Sequence, residues 1–265
     1  TFKDRYLLKH YPHQVLEGCL IAAYTIQAKA SYVYLNHEYE EERQNLAQAI
    51  EQARSHGLIG KNVLGSGFDM EVEIFSGQGS YVAGEETAML ESMQGRPAMP
   101  RQKPPFYPTD FGLYGKPTLV NNVETLCNIP RILSKGASWF AEGGTERCPG
   151  TMLFSLSGAV KRPGVYELPM GTPLRVLIDD CGGGVPGGRK VKAVFPGGPS
   201  FSMVTAEQLD MPMDFDSLKK AGTGLGSAGV IVVAPEPVAG FASRHPVAHD
   251  LAVPGRLVVV RIAVA

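Results

Sequence analysis

This 265-residue chain has four cysteines, Cys19, Cys127, Cys148 and Cys181, and no two of them form a C-x-x-C pair. The sequence therefore has no local knuckle for a zinc ion or an iron–sulfur cluster. Cysteines without a pattern read most simply as reduced thiols of a cytosolic protein, three of them packing residues. Long apolar runs are missing too, and none approaches the ~18 residues that span a bilayer. The chain opens on TFKDRYLLKHYPHQ, charged and without an initiating Met. No signal peptide is visible there, and the opening reads as the middle of a longer sequence. A net charge of −1 gives no electrostatic reason to expect nucleic acid or an anionic membrane surface as partner. The histidines are scattered, and His245-x-x-x-His249 lacks a third ligand for a metal. No Ser/His/Asp or Cys/His arrangement is legible.

What is present is globular. The length suits one large or two modest domains with a real core, and 44% hydrophobic with 19% charged residues is ordinary for a folded domain. The 31 glycines and 20 prolines cluster rather than repeat, as in loops lying close to backbone or ligand. Residues 12–30 begin with a proline suited to a helix first turn and are apolar nearly all round, which predicts a buried helix. Residues 31–36 are short, aromatic and β-branched, hence a strand. Residues 38–56 form an amphipathic helix stopped by Gly57, with Glu38, Glu40, Glu41 and Glu42 as its solvated acidic start rather than a metal site. DMEVEIFSG (69–77) alternates as a half-exposed strand does. A glycine turn and another helix follow, and this order is the α/β grammar of a ligand-binding layer.

Six prolines fall between Arg96 and Pro117, in a segment too long for an idle connection, so it is expected to wrap or lid a site. Residues 121–136 read as a helix with an Asn cap, interrupted or ended near Pro130. After residues 143–150 the texture changes. Two strands joined by a Pro-Gly turn (151–169), a short helix (172–184) and further strands at 190–200 and 229–233 suggest a β-grasp module. The boundary is placed near 148. The tail from Ala234 has no helical period and is either a strand pair or unfolded.

The candidate site centres on GSYVAGEETAML (79–90). Glu85 and Glu86 stand at the mouth of a helix, where acid is favourable by ~0.3–1 kcal/mol per residue as a plain helix start. Phosphate cradling is disfavoured because carboxylates repel phosphate. The glycines at 77, 79 and 84 also do not make the G-x-G-x-x-G fingerprint. A carboxylate there can instead accept hydrogen bonds from ribose or amide donors, with Tyr81 offering a π-face beside it. Lys103 and Phe106 lie on a stiff proline scaffold. They are either part of a polyproline surface loop or a cation and a ring that grip a phosphate and stack a base. Asn121, Asn122 and Thr125 are either a simple cap or amide and hydroxyl groups that pair with flavin ring or ribitol atoms.

The wording and order of TFKDRYLL, GSYVAGEETAMLESMQGRPAMPRQKPPF, GLYGKPTLVNNVETL and PMDFDSLKKAGTGLGSAGVIVV closely resemble the flavoprotein subunit of bacterial respiratory complex I, the NADH-quinone oxidoreductase. That family also includes diaphorase subunits of NAD-dependent hydrogenases and formate dehydrogenases. The resemblance runs from about residue 1 to 233, and SLSGAVKRPGVYELP is similar to the family's SLBB module. It implies an α/β fold, a partial FMN-binding layer over 1–148 followed by a small β-grasp module over 149–233. A divergent tail, 234–265, stands where an iron–sulfur domain is expected.

The implied activity is hydride transfer from NADH to FMN, with electrons passed singly to iron–sulfur clusters and quinone. Protein groups position the flavin, which carries the chemistry. Under the resemblance, Gly84 and Glu85 lie along the flavin and Asn121, Asn122 and Thr125 bind its polar groups. Glu86 hydrogen-bonds the nicotinamide–ribose end of NAD(H), Tyr81 borders the stacked rings, and Lys103 and Phe106 hold the pyrophosphate or adenine side. The implied partners are other subunits of a membrane-attached electron-transfer complex. The implied location is cytoplasmic, peripheral on the inner face of the cell membrane, without direct insertion and without nucleic acid. The family's glycine-rich flavin loop and an acidic segment lie upstream of TFKDR, and its cysteines for a 4Fe–4S cluster follow GVIVV. This sequence has neither, as a truncated or frame-shifted reading would not. About half of the flavin pocket, weak or no FMN retention and no cluster are therefore expected. Two other readings stand beside this one: a formate dehydrogenase or hydrogenase diaphorase, and a non-catalytic β-grasp docking module.

Overall fold

The computed structural model describes residues 2–235 and 261–264. They divide into two compact units, one of Asp4–Ser134 with the strand Arg261–Val264, the other of residues 135–235 with residues 2 and 3.

In the first unit a short α1 (Lys3–His10) leads into α2 (Pro12–Ile26). Pro12 sits in the first turn of α2, where the missing N–H has no helical partner to lose. α2 buries Val15, Leu16, Cys19 and Ala23 and packs against α3 (Glu40–Ser55). Gly57, at φ +70°, takes the chain out of α3 in the left-handed conformation that favours glycine. The acidic start of α3 is not uniformly solvated, contrary to the expectation from its sequence. Glu42 is fully buried and accepts a 2.8 Å hydrogen bond from Arg5 Nε, while exposed Glu41 pairs with Lys9 at 2.8 Å. The two pairs tie α1 to α3, an arrangement that local periodicity could not reveal.

Between the helices, β1 (Ala30–Asn36) and β2 (Glu71–Gly77) pair in parallel from Ala30–Glu71 to Asn36–Gly77. The sheet continues through strand Arg261–Val264 to β3 (Leu119–Asn122), and that strand runs antiparallel to both β1 and β3. β1, β2 and β3 therefore share one direction, and their carboxyl ends, Asn36, Gly77 and Asn122, lie on one edge. This edge is where open α/β sheets bind ligands. The rest of the tail, 236–260, lies outside the described residues, as do His245 and His249.

After β2 come α4 (Glu86–Met93) and the single turn α5 (Pro108–Phe111). α6 (Val123–Lys135) starts directly from β3 and runs unbroken through Pro130, where an interruption was expected. Proline has no N–H to give the carbonyl four residues back, so Leu126 C=O lacks its helical donor from residue 130. That carbonyl faces Gly18 of α2, where a Cβ would stand 2.0 Å from the oxygen. The next carbonyl, of Cys127, accepts a 2.8 Å hydrogen bond from Gln14 Nε2. Side-chain support and a close glycine approach thus carry the helix past its proline.

In the second unit, α7 (Ala137–Ala141) precedes β4 (Thr151–Gly158), β5 (Gly164–Pro169), β6 (Ala193–Phe195), β7 (Val204–Thr205) and β8 (Gly229–Val233). The sheet order is β5–β4–β8–β6–β7, with β4 and β8 parallel and the other neighbours antiparallel. Phe154, Leu156, Leu174, Leu177, Val194 and Val230 form its core. The helix expected over 172–184 is a wider π-helical turn, Val176–Cys181. Arg162 donates to the carbonyls of Cys181 (2.9 Å) and Asp180 (2.6 Å) at its end. β7 and α8 (Phe215–Lys220), which Asp214 caps through Ser217 N–H at 2.7 Å, carry too little periodicity to be read from sequence.

Gly18→Ala is expected to lower stability by about 1–3 kcal/mol, the usual cost of forcing atoms into a closed contact. The reading is a reduced urea midpoint with an unchanged slope. An unchanged midpoint would contradict the close approach of α2 and α6.

Candidate functional site

The glycine turn delivers the chain from β2 to α4 through a tight helical turn, Tyr81–Gly84. Tyr81 opens that turn, and its side chain lies outside the described residues. Glu85 has extended backbone angles (φ −74°, ψ 135°) and is the N-cap of α4, its carboxylate accepting from Ala88 N–H at 2.8 Å. This is the short acceptor an N-terminus needs. Thr87 Oγ1 donates to the same carboxylate oxygen, Glu85 Oε2. α4 itself is fixed from below. Met89, Leu90 and Met93 pack with Tyr34 of β1, Ala83 and Leu113, and Tyr34 Oη meets Ser92 Oγ at 3.1 Å.

The other carboxylate oxygen of Glu85 and the carboxylate of Glu86 share one partner. Lys103 Nζ donates to Glu85 Oε1 at 3.0 Å and to Glu86 Oε1 at 2.7 Å. The three side chains are each about one-third exposed, at 33%, 31% and 29%. Burial alone would push the Glu85 carboxyl up. Hydrogen bonds from Thr87 and Ala88 N–H, and then Lys103, outweigh it and hold the group below its ordinary 4.5. Glu86 and then Glu85 raise Lys103 above its ordinary 10.5. An acid pair that would repel a phosphate is thus matched by an ammonium on the same spot.

The proline-rich segment is anchored at Arg101. Its backbone N–H donates to Thr87 Oγ1 at 2.8 Å. Its guanidinium donates to Glu91 of α4 and to the carbonyls of Phe111 and Gly112. Glu91 also takes Arg96. Between these anchors the chain projects Lys103 and Phe106, whose ring meets Phe111 edge-on at 6.0 Å. An open cleft of about 480 Å³ lies against Glu91, Gln94, Arg96, Arg101, Phe106 and Phe111. Thr87, Glu91 and Arg101 are not among the residues that sequence reasoning singles out. The available signal is the hydroxyl two positions after an N-cap carboxylate, and an arginine beside a strap that has to be tied down.

Asn121 and Asn122 end β3, at the carboxyl edge of the sheet. Asn122 uses its amide inside the protein: Nδ2 donates to Asp4 Oδ2 at 3.0 Å and Oδ1 accepts from Glu124 N–H at 3.0 Å. Asn121 is half-buried and Thr125, in the first turn of α6, is exposed. Val120 packs against the apolar cluster that contains Ala83, so β3 and the turn before Glu85 share one support. Of the nine residues predicted from sequence, direct contacts join Glu85, Glu86 and Lys103. Among the described residues no group of three His, Cys, Asp or Glu is placed to hold a metal ion. Cys19 and Cys127 are buried, Cys148 and Cys181 half-buried, and none of the four is in a disulfide.

The Glu85 shift fixes the sign of a pH dependence. A carboxyl held below its unfolded value contributes stability that is present above about 4.5 and lost as pH falls through the folded value. Lys103, held above 10.5, contributes below that pH and loses the contribution as pH rises through its folded value. The difference in urea midpoint between the wild-type chain and Lys103→Met is expected to be constant between about pH 6 and 8 and to shrink below about pH 4. A difference that persists unchanged at low pH would contradict the ion-pair geometry.

Residues 1–131 match the family model of the Nuo51 FMN-binding domain and residues 153–204 that of the SLBB domain. The second F subunit of the NADH-quinone oxidoreductase of Rhizobium meliloti is 51% identical over 233 residues, covering 88% of this chain and 55% of the relative. The F subunit of the Escherichia coli NADH-quinone oxidoreductase is 47% identical over 233 residues, covering 88% and 52%. The chain thus spans about half the length of the curated relatives it matches. Among solved structures, an NAD+-reducing NiFe hydrogenase in the H2-reduced state superimposes with a TM-score of 0.76 at 37% identity, covering 88% of this chain and 38% of that one. With both domains matched in order and these relatives aligned along most of its length, the chain belongs to the family of NADH-quinone oxidoreductase flavoprotein subunits.

Proposed function

We propose that this chain supplies the nucleotide-facing part of an NADH-oxidising, FMN-dependent flavoprotein. The observation that carries the reading is Lys103 bridging Glu85 and Glu86 at the N-terminus of α4, beside the carboxyl edge of a parallel set of strands. Carboxylates there accept hydrogen bonds from ribose hydroxyls or the nicotinamide amide, and Glu86 is the one with no capping duty. Lys103 offsets their charge so that an anionic dinucleotide can approach, and its raised pKa keeps the ammonium protonated. Phe106, 45% exposed, offers its ring to the adenine. FMN, when bound, supplies the acceptor for a hydride and the means to release electrons singly. Gly84 and Asn121 are suited to its ring and ribitol side, whereas Asn122 acts by fixing the joint between β3 and α6.

The donor set fits the ring side of a flavin and not its phosphate. Of the nine residues Lys103 is the single cation, and two carboxylates hold it. Weak FMN retention follows. The names of the relatives support electron delivery to a quinone as one subunit of a larger oxidoreductase. Residence on the cytoplasmic face of the membrane would then come from that assembly, since no helix among the described residues is long and apolar enough to cross a bilayer. Higher identity to the quinone-linked relatives than to the hydrogenase chain favours the quinone-linked assembly over a diaphorase.

The purified chain is expected to carry no stoichiometric flavin, to bind NADH by saturation-transfer NMR when FMN is added, and to reduce ferricyanide with NADH under the same conditions. Phe106→Ala should weaken NADH binding about tenfold, in line with ~1–3 kcal/mol for a base stacked on an aromatic ring. Absence of NADH binding at saturating FMN, or indifference to Phe106, would overturn the proposal.

A further inference from the structure

Lys103 and Phe106 stand on a loop with few apolar anchors of its own. Residues 102–107 are exposed throughout, and side chains this far out lose their position unless something fixes the base of the loop. Arg101 does so at three points. Its N–H reaches Thr87 Oγ1 at 2.8 Å, its Nε reaches Glu91, and its Nη1 reaches the carbonyls of Phe111 and Gly112, the latter at 3.3 Å. The loop 102–111 is thereby closed at both ends onto one guanidinium. That group is largely out of water, its side chain 14% exposed and that of Glu91 15%, so the fork is screened far less than a surface pair.

Thr87 makes the second link. It is fully buried and uses its one hydroxyl twice, accepting from Arg101 N–H and donating to Glu85 Oε2. Glu85 in turn meets Lys103. A closed circuit results, from Arg101 through Thr87 and Glu85 to Lys103, two residues beyond Arg101. Lysine could keep the charge at position 101 but not the planar fork that reaches a carboxylate and two carbonyls together.

We infer that Arg101, seated on Thr87 and Glu91, is the positioning residue that sets where Lys103 and Phe106 stand before a ligand arrives. That the ligand is a dinucleotide rests on the function proposed above; the positioning itself does not. The inference predicts that the loop is pre-formed, so binding does not have to order it.

The test uses the full chain with Arg101→Lys, Thr87→Val and Thr87→Ser, read by amide hydrogen exchange and by NMR titration of the Glu85 carboxyl. Arg101→Lys should speed exchange over 102–111 at least tenfold while leaving α4 and β2 near wild type. Thr87→Val should do the same and move the Glu85 midpoint up, since it removes the hydroxyl that favours the carboxylate. Thr87→Ser should restore both readings, because it returns the hydroxyl without the methyl. NADH binding with FMN present should weaken in step with loop exchange. Unchanged exchange over 102–111 in Arg101→Lys overturns the inference. So does loss of protection spread evenly over α4 and β2, which would mark a general structural role. If exchange and titration respond as stated but no variant, including wild type, binds NADH, the positioning role stands and the dinucleotide reading fails.

Discussion

Two carboxylates set side by side at the start of a helix need a counter-charge, and the site is organised around how this chain supplies it. Lys103 comes from a different part of the sequence, on a strap that has no reason of its own to lie over α4. The strap must therefore be tied: Thr87 and Glu91 of α4 hold Arg101, and the carboxylate that caps the helix holds Lys103. Glu85 Oε2 takes the hydroxyl of Thr87 and the N–H of Ala88, leaving Oε1 for Lys103. One carboxylate serves as helix cap and as partner of Lys103 with different oxygens. Glu86, relieved of capping, is the more available acceptor.

The sheet sets this spot beside the carboxyl ends of its parallel strands, the edge at which open α/β sheets generally bind ligands. β1, β2 and β3 run the same way and end together, and β2 leads straight into the turn before Glu85. Tyr34 of β1 packs under α4 and also meets Phe75 of β2 in a near-parallel stack at 5.6 Å. Helix start and strand ends are thus held by the same apolar cluster. The strand Arg261–Val264 fills the position between β1 and β3 in the opposite direction. An antiparallel strand inside an otherwise parallel set is uncommon, such strands being usual at edges.

Much of this is legible in the residues. Alternation in 69–77 and the aromatic, β-branched run 31–36 mark β1 and β2, and Pro12 and Gly57 mark real helix ends. The acidic pair, the strap and the Asn-Asn joint are each visible as candidates, though local physics leaves every one of them with a bland alternative. What cannot be read locally is long-range. Glu42 looks like a solvated helix start because its partner, Arg5, lies in another helix. Pro130 looks like a break because the support for α6 comes from Gly18 and Gln14 of α2. Arg101 carries no periodic signal at all, since its importance comes from Thr87 and Glu91 of α4 and from closing its own strap onto the carbonyls of Phe111 and Gly112. Asn122 shows the opposite case. Its residue type suggests a ligand group, and the structure gives its amide to Asp4 and to the helix that follows.

The central claim is that Glu85, Glu86 and Lys103 form the nucleotide-facing edge of the molecule. The most direct test is carboxyl-detected NMR of the glutamates while NADH is added to the chain in the presence of FMN. The account predicts that the Glu85 and Glu86 carboxyl resonances move together along one saturation curve, while Glu51 and Glu71, which pair with Arg54, stay still. Saturable NADH binding that leaves Glu85 and Glu86 unmoved would contradict it.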